Sequence, residues 1–379
     1  MNYKIPLSFP LFDGNETLYS QLAINSGHLA TYGPFIEKFE KKLSKRIQTH
    51  EAIALNSGTS ALHLGLVLLG IGIGDEVICQ SFTFCASANP VVYLGAQPIF
   101  VDSEKDTWNM CPDLLEDTIL CRIAKGKKPK AIIMVHLFGM PAKMKELMEI
   151  SSKYQIPVLE DAAEAVGSTY GGKYCGTFGQ LGVFSFNGNK IITTGGGGAL
   201  LSNNAHLIQR ARHLASQARE DFSHYEHLEI GYNYKMNNLS ASIGLAQLEQ
   251  LDSWVESRQT VNEKYRELLK DVEGIDFQTE EIGSKSNFWL TTILIDSEKV
   301  GFTNKTLRTS LLKKSIETRF LWKPLHLQPV FKSMPFYGGT ICESFFENGL
   351  CLPSSANLTV EDQEIVVDVI LKELTKTVS

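Results

Sequence analysis

An α/β protein of two domains, the first built on a large, mostly parallel sheet, is what this 379-residue sequence predicts, on three observations. Short apolar runs alternate with stretches of helical length, the pattern left by parallel strands with helices on both faces. The chain is longer than one core commonly supports. From about residue 270 the alternation gives way to a smaller, mixed set of strand-like and helix-like segments. The expected division is 1–250 and 251–379, the second part an α+β domain.

Composition narrows the function classes. With 36 basic and 42 acidic side chains and no long basic run, no nucleic-acid partner is expected. The seven cysteines are scattered and contain no Cys-x-x-Cys, which argues against a disulfide framework or a structural zinc site, so no metal is expected. The first residues lack a basic segment leading into a long apolar core, and no apolar run reaches membrane-spanning length. A cytoplasmic protein with no membrane partner is the expectation.

Taken in order, the chain opens on an arm broken by Pro6, Pro10 and Gly14, followed by a helix with Phe35, Phe39 and Leu43 on one face. Glu51 to Leu55 reads as the first buried strand. Asn56-Ser57-Gly58-Thr59-Ser60-Ala61-Leu62 then bridges strand to helix, and the unpaired amides at such a helix start, with hydroxyls beside them, form a phosphate seat; plain capping by Ser57 or Thr59 is the alternative. Gly70-Ile71-Gly72-Ile73-Gly74 is no dinucleotide fingerprint, because it leaves a helix and enters a strand. Further strands follow at Glu76–Cys79, Pro98–Asp102, Ala131–His136 and Ile156–Asp161. Ser81 to Ser87 turns from strand to helix and carries aromatics at the carboxyl edge of the sheet, fit for core packing or for stacking on a flat ring. Asp161, at a strand end and flanked by alanines, is either a helix cap or a carboxylate against which a planar group lies; paired with a protonated pyridine nitrogen, it would keep that ring cationic.

The centre of the sequence is Val183-Phe184-Ser185-Phe186-Asn187-Gly188-Asn189-Lys190. One lysine stands between an apolar strand and the glycine turn Gly195 to Gly198, which reopens into Ala199-Leu200-Leu201. A confined lysine loses stabilisation of its charged form and becomes a nucleophile able to form a Schiff base with an aldehyde, which is what pyridoxal phosphate requires of a protein. Beyond it, His224 and His227 could share a helical face as metal ligands, but no third ligand accompanies them. Helical spacing runs unbroken from Leu239 to about Leu269. In the last part, Asn287 to Ile295 reads as a strand, Leu307 to Lys314 and Val360 to Leu374 as helices, and Arg319, Trp322, Lys323 and His326 interleave charge with aromatics, either a solvated rim or a contact for a phosphate and a base.

The ordered set Asn56–Leu62, Ser81–Phe84, Asp161–Ala165, Ser185–Lys190 and Gly231–Met236 resembles the DegT/DnrJ/EryC1 family of sugar aminotransferases over nearly the whole chain. His224 to His227 with Glu317 to Pro324 looks closest to the PglE type, which aminates C4 of UDP-linked 2-acetamido-4-keto-6-deoxyhexoses. The resemblance implies the aspartate aminotransferase-like fold, fold type I of the pyridoxal phosphate enzymes, and a homodimer with active sites at the subunit interface. Lys190 matches the lysine that tethers the cofactor and Asp161 the partner of its ring nitrogen. Phe84, with Phe82 as the competing position, matches the ring-stacking aromatic. Ser57, Gly58, Thr59 and Ser185 match the phosphate seat, to which the second subunit adds Asn233. Ala163 would support the other ring face, and Glu164 would lie near the ring hydroxyl. Arg219, His224, Tyr232, Arg319, Trp322, Lys323 and His326 are candidates for holding substrate.

What this implies is a two-stage transamination from L-glutamate to a nucleotide-linked 4-keto-6-deoxy sugar, for bacterial surface glycan or glycoprotein synthesis. A GDP- or dTDP-linked sugar is the alternative within the family, and a non-catalytic nucleotide-sugar binding homologue the alternative outside catalysis. A sugar dehydratase of the family would carry histidine in place of Lys190. The sequence departs from the family pattern at Gly196, Phe320 and Lys235, none of which touches the Schiff-base chemistry.

Overall fold

The computed structural model describes residues 3–377. Its centre is an eight-stranded sheet. The strands are β1 (Glu51–Leu55), β2 (Glu76–Gln80), β3 (Gln97–Val101), β4 (Ala131–Val135) and β5 (Val158–Asp161). After a hairpin of β6 (Thr169–Tyr170) and β7 (Lys173–Tyr174), beside which β11 (Ser284–Lys285) later pairs with β6, come β8 (Leu181–Ser185) and β9 (Gly198–Ser202). Their spatial order is β1-β9-β8-β5-β4-β2-β3, with a short edge strand β14 (Phe336–Tyr337) beyond β3. Only β9 runs against its neighbours.

Both faces of this sheet are buried, which is why its strands read as continuous apolar runs rather than as alternation. Ile53, Val77, Ile133, Leu159 and Val183 meet one cluster, which the helices Gly58–Leu68 and Ala205–Ala215 cover. Ile78, Ile99, Ile132 and Met134 face the opposite way, under Pro112–Ala124 and Met144–Tyr154. Beside that second cluster, Ala52, Phe184 and Leu201 pack against the helices Pro34–Ile47 and Asn238–Glu249.

A second sheet has the order β10-β12-β15-β13, from Ile275–Phe277, Thr291–Ile295, Gly349–Leu352 and Arg319–Phe320. Helices Leu251–Leu269, Asn304–Lys313 and Val360–Thr377 build its core. The line at residue 250 is crossed in both directions. β14 from the second half extends the first sheet, and Ile5 of the arm bridges to Ile316 and is buried in the second core.

Three expected elements differ. The arm holds an additional helix, Glu16–Asn25. The long helix expected from 239 to 269 breaks at Gln250, whose backbone (φ −99°, ψ 0°) stops one helix and starts the next. The two halves serve different cores: Leu245 and Leu248 pack with Phe39, whereas Val261 and Tyr265 pack with Val366 and Ile370. Residues 287–290 leave the expected strand, because Asn287 turns its side chain to the carbonyls of Glu164 and Val166 and Phe288 sits at φ +42°. The run enters the ladder only at Thr291.

That bend locks the two halves together. Asn287 also accepts the Trp289 amide, and its oxygen lies against Gly139, where an added Cβ would come within 1.9 Å of it. Gly139 has φ +95°, so a side chain there meets both backbone strain and a collision. Gly139→Ala is expected to lower stability by about 2–4 kcal/mol, read as an earlier urea unfolding midpoint. An unchanged midpoint would show that the Asn287 contact yields freely.

Candidate active site

The carboxyl ends of β5 and β8 and the start of the helix Gly58–Leu68 enclose a cavity of about 400 Å³. Ligands in open α/β sheets bind at such strand ends. At the helix start, the Ser60 amide is taken by the Ser57 hydroxyl, and the first intrahelical bond runs from Ala61 to Ser57. This leaves the Gly58 and Thr59 amides without an intrahelical acceptor, an anion seat. β9 presses on this turn so closely that a Cβ on Gly198 would lie 2.5 Å from the Gly58 nitrogen. Ser185, at the end of β8, completes the seat.

Asp161 is the last residue of β5. Its buried carboxylate accepts the Ser87 hydroxyl at 2.7 Å and the Ala163 amide at 3.2 Å. Burial pushes its pKa up, and Ser87, Ala163 and the charge of Lys190 pull the other way. Glu160, pointing from the same strand into the layer behind, accepts amides of Gly176, Phe178 and Gly179 and faces the His136 ring. This buried carboxylate holds the strand end in place. Glu164 accepts the Phe138 amide at 2.6 Å with one oxygen, and its other oxygen lies 3.5 Å from Lys190 Nζ. Burial raises the Glu164 pKa, opposed chiefly by Lys190.

Lys190 reaches the cavity from a loop closed on itself by Phe186 and Gly197 and by Thr194 and Phe186. Its ammonium lies 3.8 Å from the centre of the Trp289 ring, and the Trp289 indole N–H donates to the carbonyl of Asn189. Trp289 is in turn anchored through its own carbonyl by the buried Arg258.

Ser57, Gly58, Thr59, Phe84, Asp161, Ala163, Glu164, Ser185 and Lys190 all line this cavity. Phe84 is half exposed and faces it, whereas Phe82 is wholly buried in the core around Trp108 and Phe345, which separates the two competing positions. Of the substrate candidates only Trp322 reaches it, with its ring tilted against Phe84. Arg319 pairs with Glu317 in an adjoining cavity of about 470 Å³ that shares Asn189, Trp289 and Trp322. His326 is held between Ser81 and Glu343, and Lys323 is exposed. Asn233 lies outside the cavity, in a separate surface hollow with Arg219, although its carbonyl accepts Asn56. Tyr232 stacks on Tyr234. His224 pairs with Glu226 and His227 with the Gln217 carbonyl; the segment is not helical, so they share no helix face. Sequence reasoning missed Trp289 and Ser87, both on the cavity wall.

A lysine amine beside a carboxylate, a second buried carboxylate across the cavity, an aromatic face and an anion seat are what a phosphorylated aldehyde with a basic ring requires. Fold and site together define a pyridoxal phosphate-dependent transferase of fold type I. The sequence profile of the DegT/DnrJ/EryC1/StrS aminotransferase family matches residues 12–371, and the chain belongs to that family. It is 47% identical over 375 residues to EpsN of Bacillus subtilis (strain 168), provisionally named as a pyridoxal phosphate-dependent aminotransferase, covering 98% of this chain and 96% of that one. It is 38% identical over 357 residues to GDP-perosamine synthase of Escherichia coli O157:H7, covering 94% and 95%. A DegT DnrJ EryC1 StrS aminotransferase from Brucella abortus superposes with a TM-score of 0.89 at 31% identity, covering 94% of this chain and 95% of that one. The chain is accordingly an aminotransferase that uses pyridoxal phosphate.

Phe84 and Phe82 separate binding from folding. Phe84→Ala is expected to weaken pyridoxal phosphate binding about tenfold or more with little change in stability, and Phe82→Ala to cost about 3–5 kcal/mol of stability. Equilibrium dialysis and urea unfolding of both variants check this, and the reverse pattern would exchange their assignments.

Proposed function

We propose that this chain transfers the amino group of L-glutamate to C4 of a nucleotide-linked 4-keto-6-deoxy sugar, with the UDP-linked 2-acetamido sugar as first substrate, for surface glycan or glycoprotein synthesis. The observation that carries the reading is the convergence of Lys190, Asp161 and Glu164 on one cavity with the anion seat of Ser57, Gly58, Thr59 and Ser185. When bound, pyridoxal phosphate supplies the carbonyl that takes up the amino group and a protonated ring that withdraws electrons. Asp161 would hold the proton on that ring's nitrogen, Phe84 and Ala163 would hold its two faces, and Glu164 would lie near its hydroxyl. Lys190 Nζ would take the α-proton of the donor as general base and give a proton back as general acid within the same stage, and would act in the reverse sense in the second. Trp289 and Trp322 add aromatic surface to the cavity wall.

A second copy of the chain fits the same reading. Tyr225, Leu228 and Ile230, in the segment that carries Arg219 and Asn233, are between 72% and 86% exposed, a set of side chains that a homodimer would cover. Asn233 and Arg219 would then serve the partner's site. Among the described residues no helix is long and apolar enough to cross a membrane, and the cytoplasm is the proposed location.

A GDP-linked keto sugar is the second reading, supported by the relative named GDP-perosamine synthase. Both are tested by treating the protein with L-glutamate, removing the excess, and offering each nucleotide-linked keto sugar in turn, with the aminated product followed by mass spectrometry. Conversion of the UDP-linked sugar is expected; conversion of the GDP-linked sugar alone would move the assignment to the second reading, and conversion of neither would sink both. Lys190→Ala is expected to lower turnover by more than about a thousandfold. Substantial turnover in that variant would remove Lys190 from the mechanism.

A further inference from the structure

Asp161 raises a difficulty that its own position creates. A carboxylate sealed at the end of a buried strand is pushed toward its neutral form by loss of water. A neutral carboxyl could not hold a proton on the ring nitrogen of the cofactor. Its two oxygens are each given one donor: the Ala163 amide meets Oδ1 and the Ser87 hydroxyl meets Oδ2. The Ala163 amide belongs to the turn that follows β5 and is present whatever side chain stands there. Ser87 is a choice of residue.

Ser87 is itself 1% exposed, and its hydroxyl has a second neighbour, the Thr83 hydroxyl at 2.9 Å. A hydroxyl carries one proton, and that of Ser87 is committed to an acceptor-only carboxylate, so Thr83 must be the donor in the pair. The chain therefore runs Thr83 to Ser87 to Asp161, each bond polarising the next. Both hydroxyls lie in the 83–87 turn that also presents Phe84 to the cavity. One short segment thus supplies the face against the ring and the donor behind its carboxylate.

We propose that Ser87, backed by Thr83, is a positioning residue that keeps the Asp161 carboxylate charged and aimed, so that the shared proton resides on the cofactor's ring nitrogen rather than on the carboxyl. This rests on the reading that Asp161 partners that nitrogen. The other groups that act on Asp161 are Lys190 and Glu164 across the cavity, the His136 ring behind it and the buried Cys79 thiol on β2, one strand beyond the adjacent β4. None of these donates a hydrogen bond to the carboxylate, so none replaces Ser87. Loss of the hydroxyl removes a donor from the charged form, raises the proton affinity of Asp161, and moves upward the pH at which acid neutralises the carboxylate and breaks its ion pair with the ring.

The test compares the affinity of the cofactor-free protein for pyridoxal phosphate with its affinity for the analogue in which carbon replaces the ring nitrogen. The native protein is expected to prefer pyridoxal phosphate, and Asp161→Asn to lose that preference. Ser87→Ala is expected to reduce the preference about tenfold or more, the effect of removing a hydrogen bond to a buried charge, and to place its loss on acidification about one pH unit higher. Ser87→Thr, which keeps the hydroxyl, is expected to restore both, and unfolding midpoints confirm that the variants are folded. A Ser87→Ala protein that keeps the native preference at every pH would overturn the proposal while leaving the Asp161 reading intact. No preference in the native protein would overturn both.

Discussion

Charge sequestered from water is the constraint that shapes this molecule. Asp161 and Glu164 are buried where they line one cavity, and the Lys190 amine lines the same cavity with most of its side chain covered. An ionised group in such a place is tolerated only with partners, and each has them. Asp161 has Ser87 and the Ala163 amide; Glu164 has the Phe138 amide and Lys190; Lys190 has Glu164 and the face of Trp289. The partners come from the turn after β2, the turn after β4, the turn after β5 and the bend before β12. The site exists only where these four segments meet the β8–β9 loop that carries Lys190.

The second half of the chain is therefore part of the candidate site and not an appendage. The 287–290 bend brings Trp289 over Lys190, and Arg258 fixes it from behind by bonding the carbonyls of Trp289 and Ser354 and the hydroxyl of Ser8. Removed from water without a carboxylate among these contacts, the guanidinium has its pKa pulled down to about 10. It joins the arm, the second sheet and the cavity wall at one point. A bend held this firmly leaves Lys190 a fixed neighbour on one side and a carboxylate on the other.

The sequence made the lysine, the aspartate and the anion seat legible because each lies within a few residues of a strand end, and strand ends announce themselves by apolar runs that stop. Lys190 stands in the turn between β8 and β9, as its glycine-flanked context predicts. Trp289 was hidden because its run, Asn287 to Ile295, has the composition of a strand; what bends it is the reach of Asn287 to the carbonyls of residues more than a hundred positions earlier. Ser87 was hidden for the same reason, since its partner Asp161 is distant in sequence. The break at Gln250 follows from two cores competing for one helical stretch, which local spacing does not encode. Arg219, His224 and Tyr232 lie outside the cavity, because motif resemblance gives the residue but not where the fold carries it. The departure at Gly196 is sterically quiet, for a Cβ there meets nothing within 4 Å.

By this reading Lys190 and Asp161 make the cavity a device for moving an amino group through a bound cofactor. The decisive measurement is the visible spectrum of the purified protein loaded with pyridoxal phosphate, before and after addition of L-glutamate. A yellow protein is expected, whose visible band gives way to near-ultraviolet absorption as the amino group is taken up. A protein that remains colourless after incubation with the cofactor, or one whose yellow colour is indifferent to glutamate and to every other amino donor, would contradict it.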